Sequence, residues 1–576
     1  MDKRTLTAIG ISVVILFAWT MFFSSKPTAP TAGAPPAPSA STNSAPGSPS
    51  TGNDEAQVAP GGAAAAGATA GAGAATGPAG AIAPEQETVV ETPAERLVFS
   101  NRGASLRHAT LLEAKYRPRK GEEGAHANGI DLVHPTEAKV APLRISFPSS
   151  AFPTPPDSAW RLVEGRPLPA GASKQLIYRA ELPTVVIEKR FLWDANRYRI
   201  HLDVTVENRA STPADHHLAI QLPGYQDPEA KGGFFSGASG NTSSVLCHVG
   251  DKTKREPIEK FEKEKLHETG GVRWLGTDEK FFLAAVVPYP ETPPRELTCD
   301  GSSVGPGLVL AQLSFSERSL PAHERTTYSF AVFIGPKVVS ELEDVRPGGV
   351  DVHLSDAVDV TFSFISRPML LLMQFFHRFV GNWGVAIILL TVFIRLLTFY
   401  PTQRSLLSAK KMQKLGPKMA AIRKKYENDK QRQSQETMNL YKAHGVSPVG
   451  GCLPSLIQMP IWIALYSTLN YAVELYREPF ILHIKDLTAK DPYYITPLLV
   501  GGVMFAQMKM SPTSPDNQQQ AMMAIMMPIM FTAFSLVLPS GLAVYMLTSY
   551  TIGILQQVWV NHLDRKAHGL AVPAKA

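Results

Sequence analysis

Hydrophobic and polar positions follow four different patterns along this chain, and each predicts a different kind of structure. Leu6 to Phe23 is an apolar run without charge, preceded by Lys3 and Arg4. A run of this kind is either a signal peptide or a short membrane anchor. It is followed by Ser24-Ser25-Lys26 rather than a small-x-small cleavage site, which favours a retained anchor over 1–23 with the N-terminus in the cytoplasm. Residues 24–88 are Ala, Pro, Gly, Ser and Thr with scarcely a large apolar side chain. Such a segment cannot bury enough area to offset its ordering entropy, so it reads as a disordered linker.

From 89 to 345 the pattern becomes period-two alternation in short runs such as TVVIEKRFLW and YRIHLDVTVEN. Side chains that alternate between faces at this period predict antiparallel strands, and about 250 residues of them predict one large β-sandwich. After residue 360 the runs lengthen. SRPMLLLMQFFHRFV is strongly apolar but interrupted by Gln374, His377 and Arg378, which predicts an amphipathic helix over 360–380 lying in the membrane interface, or else the first turns of the next span. Spans are then expected at 383–401, 453–472, 494–510, 521–538 and 541–560, the last four filling 453–560. Each is near the ~20 residues that cross the hydrocarbon core. With the anchor, the fold class is a polytopic α-helical membrane protein of six spans carrying a large extracytoplasmic antiparallel β-sandwich.

Charge sets the orientation. Residues 402–449 hold eleven Lys or Arg against three Asp or Glu, whereas 473–492 hold three against four. The positive-inside rule places the first loop and the tail at 561–576 in the cytoplasm, and the β-rich region outside. Over the whole chain of 576 residues the net charge is only +6, and the mean hydropathy of −0.04 is too polar for a protein that is membrane throughout. Both averages conceal the division. The basic loop alone carries +8, so the rest of the chain is net negative.

Within that loop Leu415, Met419, Ile422 and Tyr426 recur at helical spacing, Gly416-Pro417 restarts the helix, and Ser434 to Ala443 supplies a second one. The result is a helical hairpin with a basic exterior of Lys410, Lys411, Lys414, Lys418, Arg423, Lys424 and Lys425. That surface suits anionic lipid, ribosomal RNA or an acidic protein.

Little here points to bond-making chemistry. No HExxH, GxSxG or Gly-rich phosphate loop is present, so no enzyme, cofactor or metal is expected. His216-His217 reads as a pair of solvated loop histidines. With three cysteines a disulfide scaffold is excluded, and Cys247 and Cys299 are either bridged or two free thiols.

The candidate functional residue is Arg395, the only formally charged residue away from the ends of the five C-terminal spans. An arginine near mid-span costs about 2.5–3.5 kcal/mol and normally faces a wet cavity or a partner. Its alternative is to snorkel to the nearby cytoplasmic end. No Asp or Glu in the other spans neutralises it, so it suits transient attraction of an acidic group but not proton relay. Polar company comes from Thr391, one turn before it, from Gln458, Ser467, Thr468 and Asn470, and from Gln507, Thr532, Ser535, Thr548 and Ser549, each either a groove liner or a helix-packing hydrogen bonder. Met522, Met523, Met526, Met527 and Met530 form a flexible apolar cluster whose ordinary role is packing or lipid contact.

FVGNWGVAIILLTVFIR, the long DKQRQSQETMNLYKAHGVSPVGGCLPSLIQMPIWIALY, DLTAKDPYYITPLL, KMSPTSP and LPSGLAVYML closely resemble the YidC-type membrane protein insertases, relatives of the mitochondrial Oxa and chloroplast Alb proteins. WLGTDEKFF and FIGP resemble the Gram-negative form with a large periplasmic domain. The resemblance implies an inner-membrane insertase and chaperone with a five-helix core around a hydrophilic groove. It implies that Arg395, Thr391 and Gln458 line that groove, and that Trp462, Val500, Phe534, Tyr545 and Met546 border the client's transmembrane segment; where the family often has a second aromatic after Tyr545, this chain has Met546. Implied partners are newly made membrane proteins, the lipid bilayer, the Sec translocon with its accessory subunits, the ribosome and signal-recognition targeting factors, but not DNA. Two other classes compete: a secondary transporter using Arg395 as an anion site, and an envelope scaffold in which the β-rich region is the working part. Deleting roughly 95–340 separates the last, since an insertase should largely survive it.

Overall fold

The computed structural model describes residues 84–117, 129–134, 140–163, 174–193, 198–228, 243–291, 294–358, 363–445, 453–510 and 518–567. The predicted anchor and nearly all of the predicted linker lie outside them, as does the end of the tail. The first strand, Glu87–Glu91, already occupies the last two positions read as linker.

Twenty strands run from Glu87 to Pro336 among the described residues, every pairing antiparallel. A nine-stranded sheet has Arg199–Asn208 and Arg325–Pro336 at its centre, and a five-stranded sheet is built around Leu297–Gly305 and Leu308–Phe315. Arg199–Asn208 buries every second residue, so Leu202, Val204 and Val206 share one core with Val309, Ala311 and Leu313 of the other sheet. Cys247 and Cys299 are bridged and tie these two sheets together over a sequence separation of 52. Closing a loop of that length removes about 4 kcal/mol of unfolded-chain entropy.

Of the two histidines read as solvated, His217 does lie in a loop and is partly exposed, but His216 is not solvated. His216 ends the strand Ala214–His216 and is fully buried between Phe147, Phe152 and Tyr328, whose hydroxyl lies 2.9 Å from its Nε2. Burial holds the imidazole below its ordinary pKa, in the neutral form that packs among rings.

Two ionisable side chains are buried in this β-rich part. Lys189 alternates in phase with Ile187 and Phe191, which turns its side chain inward. There its ammonium donates to the carbonyls of Gly103 (3.2 Å), Ala104 and Leu143 (2.7 Å), pinning two turns to one strand. Glu95 is 1% exposed, and neither carboxylate oxygen has a hydrogen-bond partner. Burial pushes its pKa up to about 8 from 4.5. Because the folded carboxyl then holds a proton that the unfolded one releases, this group's stabilisation is complete below pH 4.5 and is lost as pH rises to about 8. Glu95→Gln should flatten that decline, whose slope is at most about 1.4 kcal/mol per pH unit. Denaturant unfolding of the full chain between pH 5 and 8 measures it, and an unchanged slope in the variant refutes the assignment.

A short helix α1 (Val339–Glu343) leads to the helical part, which comprises α2 (Ser363–Val380), α3 (Trp383–Leu397), α4 (Phe399–Lys414), α5 (Gly416–Lys425), α6 (Lys430–Ala443), α7 (Leu453–Tyr471), α8 (Ile495–Met510), α9 (Gln518–Ser535) and α10 (Ser540–Ala567). The span expected through 401 ends instead at Leu397, and α3 and α4 meet at 61°. Pro401 explains the break: it has no N–H for the Leu397 carbonyl, and its ring would collide with that carbonyl in a continuous helix. Among the described residues no single helix is long and apolar enough to cross a membrane by itself; α3 and α4 meet that test as a bent pair, and α8 is a shorter apolar helix. In the hairpin α5 restarts at Gly416-Pro417, α6 begins four residues earlier than expected, and Leu415 and Met419 are the buried part of the seam.

The two parts are joined by the segment after α7. Val473 is fully buried in a cluster with Phe281, Phe282 and Tyr116, and the Tyr476 ring lies 4.9 Å from Phe281 and 6.0 Å from Tyr116. Lys115 Nζ donates to the Glu474 carbonyl (3.2 Å) and Arg477 Nη1 to the Arg117 carbonyl (2.8 Å). Beside them Lys337 and Arg255 both reach Asp278 Oδ2, while the Lys337 ammonium also sits 5.9 Å over the Tyr471 ring of α7.

Candidate functional site

Asn382 starts α3 by accepting from the Val385 N–H (3.1 Å), and Arg395 lies in the last turn, where unsatisfied carbonyls favour a cation. Its guanidinium is half-buried and donates from Nε and Nη2 to Ser549 Oγ, at 3.0 and 2.5 Å. Ser549 is on α10, one turn after Tyr545, and the Tyr545 hydroxyl accepts from Gln458 Nε2 on α7. Three helices thus bring Arg395, Ser549, Tyr545 and Gln458 into one polar cluster. Among the described residues no carboxylate lies within ion-pairing distance of Arg395, and the ionisable groups acting on it are the phenols of Tyr545 and Tyr550. A cation whose partners are neutral retains its capacity to attract an anion.

The other polar candidates divide. Thr391 is fully buried and donates to the Ile387 carbonyl (2.6 Å), and Thr468, Thr532 and Thr548 likewise bond the carbonyl four residues back. Asn470 donates to Tyr466 O (3.0 Å) and Ser535 to Thr532 O (2.8 Å). These hydroxyls and amides bond carbonyls of their own helices, and Thr468 also reaches Ser366 O of α2 (3.5 Å). Gln507 packs against Gly553, where a Cβ would meet its amide, so this glycine lets α8 and α10 approach closely.

Of the residues read as bordering a client, Trp462 and Phe534 are half-buried with rings 5.9 Å apart, linking α7 and α9. Val500, Tyr545 and Met546 are buried in the helical core. Met522, Met526 and Met530 recur every fourth residue on the exposed side of α9, as expected for lipid contact. In the hairpin Lys411, Lys414, Lys418, Lys424 and Lys425 are exposed, Arg423 is half-buried, and half-buried Lys410 donates to the Val560 carbonyl (3.3 Å). The direct bond from Arg395 to Ser549 was not singled out by sequence reasoning; the four-residue spacing of Tyr545 and Ser549 was the available signal.

Comparison with known proteins shows the family. The family model described as 60Kd inner membrane protein matches residues 375–567, and that of the YidC periplasmic domain matches 87–372. The membrane protein insertase YidC of Syntrophus aciditrophicus (strain SB) is 35% identical over 569 residues, covering 97% of this chain and 99% of its own. The chain belongs to the YidC family. It is a membrane protein insertase of the inner membrane, with a periplasmic domain rich in β-strands and a helical C-terminal part. The YidC of Anaeromyxobacter sp. (strain Fw109-5) is 33% identical, covering 86% of this chain and 87% of its own. The crystal structure of an active YidC insertase with its first transmembrane domain resolved is 18% identical, covering 81% of this chain and 91% of that one at a TM-score of 0.36. The transporter alternative finds no support among these relatives. Within the YidC family match, the two models meet between 372 and 375, inside α2 rather than at a loop.

Proposed function

We propose that insertion proceeds through a hydrated intramembrane groove centred on Arg395. The observation that carries this reading is a half-buried guanidinium held by a serine hydroxyl, with no carboxylate in reach among the described residues. The acidic tail of a client is attracted to Arg395, which shortens the distance over which that tail must be desolvated. The client's apolar segment leaves past Trp462 and Phe534 into lipid, where hydrophobic partitioning makes release favourable. Thr391, Val500, Tyr545 and Met546 form the packed wall behind that route. No covalent bond is made or broken, so the protein acts as insertase and chaperone rather than as an enzyme.

In this reading the chain has six spans, five of them forming the core, with both termini in the cytoplasm and the β-rich domain a periplasmic sandwich. The α2 helix lies in the interface, supported by exposed Phe364, Leu371, Phe375 and Phe379 along it. The exposed lysines of the 402–449 hairpin meet the ribosome and signal-recognition targeting factors, and the insertase works alone or beside the Sec translocon. Reconstitution of the purified protein into protein-free vesicles, with a small single-span client bearing an acidic tail, tests the groove. Insertion should exceed that in empty vesicles and depend on the tail's charge. Faster insertion that ignores tail charge would remove Arg395 from the mechanism.

A further inference from the structure

The loop between α7 and α8 carries a feature that client insertion does not explain. Leu482 is 91% exposed and sits at φ 53°, in the left-handed region that an L side chain with a Cβ adopts at a penalty. A water-facing turn would place Gly or Asn there. Here the turn is Ile481-Leu482, and both side chains are exposed. Tyr494 repeats the device at φ 57°, also exposed, next to Tyr493 at 68% exposure.

The turn is held firmly from several sides. The Phe480 N–H donates to Ile484 O (3.0 Å) and the Ile484 N–H to Ile481 O (3.1 Å), closing the tip. His483 links the tip to the tyrosines: its ring lies 6.0 Å from that of Tyr493, and its Nε2 is 3.1 Å from Asp491 Oδ2. Asp491 also accepts from the N–H groups of Tyr493 (3.0 Å) and Thr496 (2.7 Å), fixing the start of α8. On the other side Asn382 Nδ2 donates to Phe480 O (3.2 Å), and the Phe480 ring fills the place of a Cβ on Gly384. The tip is therefore coupled to the first turn of α3.

A rigid apolar tip that holds a leucine outward against its backbone preference is built to contact something apolar. We propose that Ile481 and Leu482, with Tyr493 and Tyr494, form an interfacial foot that inserts into the outer leaflet of the bilayer. Three observations select lipid as the occupant. The exposed apolar surface runs from Tyr493 and Tyr494 onto one face of α8 at Ile495, Leu498 and Leu499, with Thr496 and Pro497 turned inward, on a helix of a protein that resides in the membrane. Tyrosines belong at the level of the headgroups, with ring in the apolar layer and hydroxyl in water. Lys485 and Lys490, both exposed, flank the tip and suit lipid phosphates. Through Asn382 and Gly384 the foot fixes the depth at which α3 begins.

The test uses the full chain with Cys452→Ser, leaving the Cys247–Cys299 bridge intact, and a nitroxide attached at Leu482→Cys. The protein is reconstituted alone into vesicles of phosphatidylethanolamine and phosphatidylglycerol. The ratio of oxygen to nickel-chelate accessibility at 482 should be several-fold higher than at Val304→Cys, an exposed site on the β-rich domain. Equal ratios at the two sites would overturn the proposal. A photoreactive residue at 482 in native membranes gives an independent readout: lipid adducts are expected, whereas a dominant adduct to one discrete protein would show that the foot docks a partner instead.

Discussion

Arg395→Ala slows insertion of a client with an acidic translocated tail by about tenfold, while Arg395→Lys retains most of the rate. A guanidinium and a carboxylate about 5 Å apart in a wet site of effective dielectric near 40 attract by about 1.7 kcal/mol, and about 1.4 kcal/mol is a factor of ten. The attraction requires a cation but not the planar fork, because its resident partner is the single Ser549 hydroxyl rather than a bidentate anion. Protease protection of the client in reconstituted vesicles measures the rate. The effect should shrink at high salt, which screens charges in a hydrated site, and vanish for a client with a neutral tail. Equal slowing for acidic and neutral tails would mean that Arg395 merely ties α3 to α10 through Ser549.

Asp278→Ala should destabilise the β-rich domain by about 3–5 kcal/mol, the range for removing one partner of a buried ionic cluster. Asp278 and Lys337 are almost wholly inaccessible, and Arg255 shares the same carboxylate oxygen while also donating to Ala357 O (2.7 Å). The alanine would leave two cations, the buried Lys337 and the partly exposed Arg255, facing each other. Asp278→Ala combined with Lys337→Met should recover part of the loss, since the least hydrated charge is then gone as well. Thermal unfolding of the full chain in detergent reads both. A single variant within about 1 kcal/mol of the parent, inside the range of surface substitutions and weak ion pairs, would show that water reaches the cluster.

Much of this architecture is legible in the residues, for reasons that differ between its parts. Period-two alternation locates the strands because a half-buried sheet demands it, and the same rule, applied strictly, also sends Lys189 inward between Ile187 and Phe191. A basic residue is instinctively read as solvated, so its three carbonyl partners came only from the fold. His216, read as solvated beside His217, turns inward against the same instinct. In the helical part, length and hydropathy outline the helices but not the 61° break between α3 and α4. Arg395 stood out because charge within an apolar run is costly. Its link to Ser549 and the Gln458–Tyr545 contact depend on how α3, α7 and α10 cross, which no local pattern specifies.

The seating of Val473 and Tyr476 among Phe281, Phe282 and Tyr116 changes how truncations of this protein must be designed. Cutting out roughly 95–340 removes all three aromatic neighbours at once and bares a valine and a tyrosine on the outer end of the helical part. The same cut deletes Lys337 from above Tyr471 and Lys115 from the Glu474 carbonyl. A shortened chain that fails to insert clients would then be reporting a sticky, unsupported scar as much as a missing domain. Replacing Val473 and Tyr476 by polar residues in the shortened chain separates the two effects, and a cut that spares Ala114–Tyr116 and residues 281–288 keeps Tyr116, Phe281 and Phe282 in the chain.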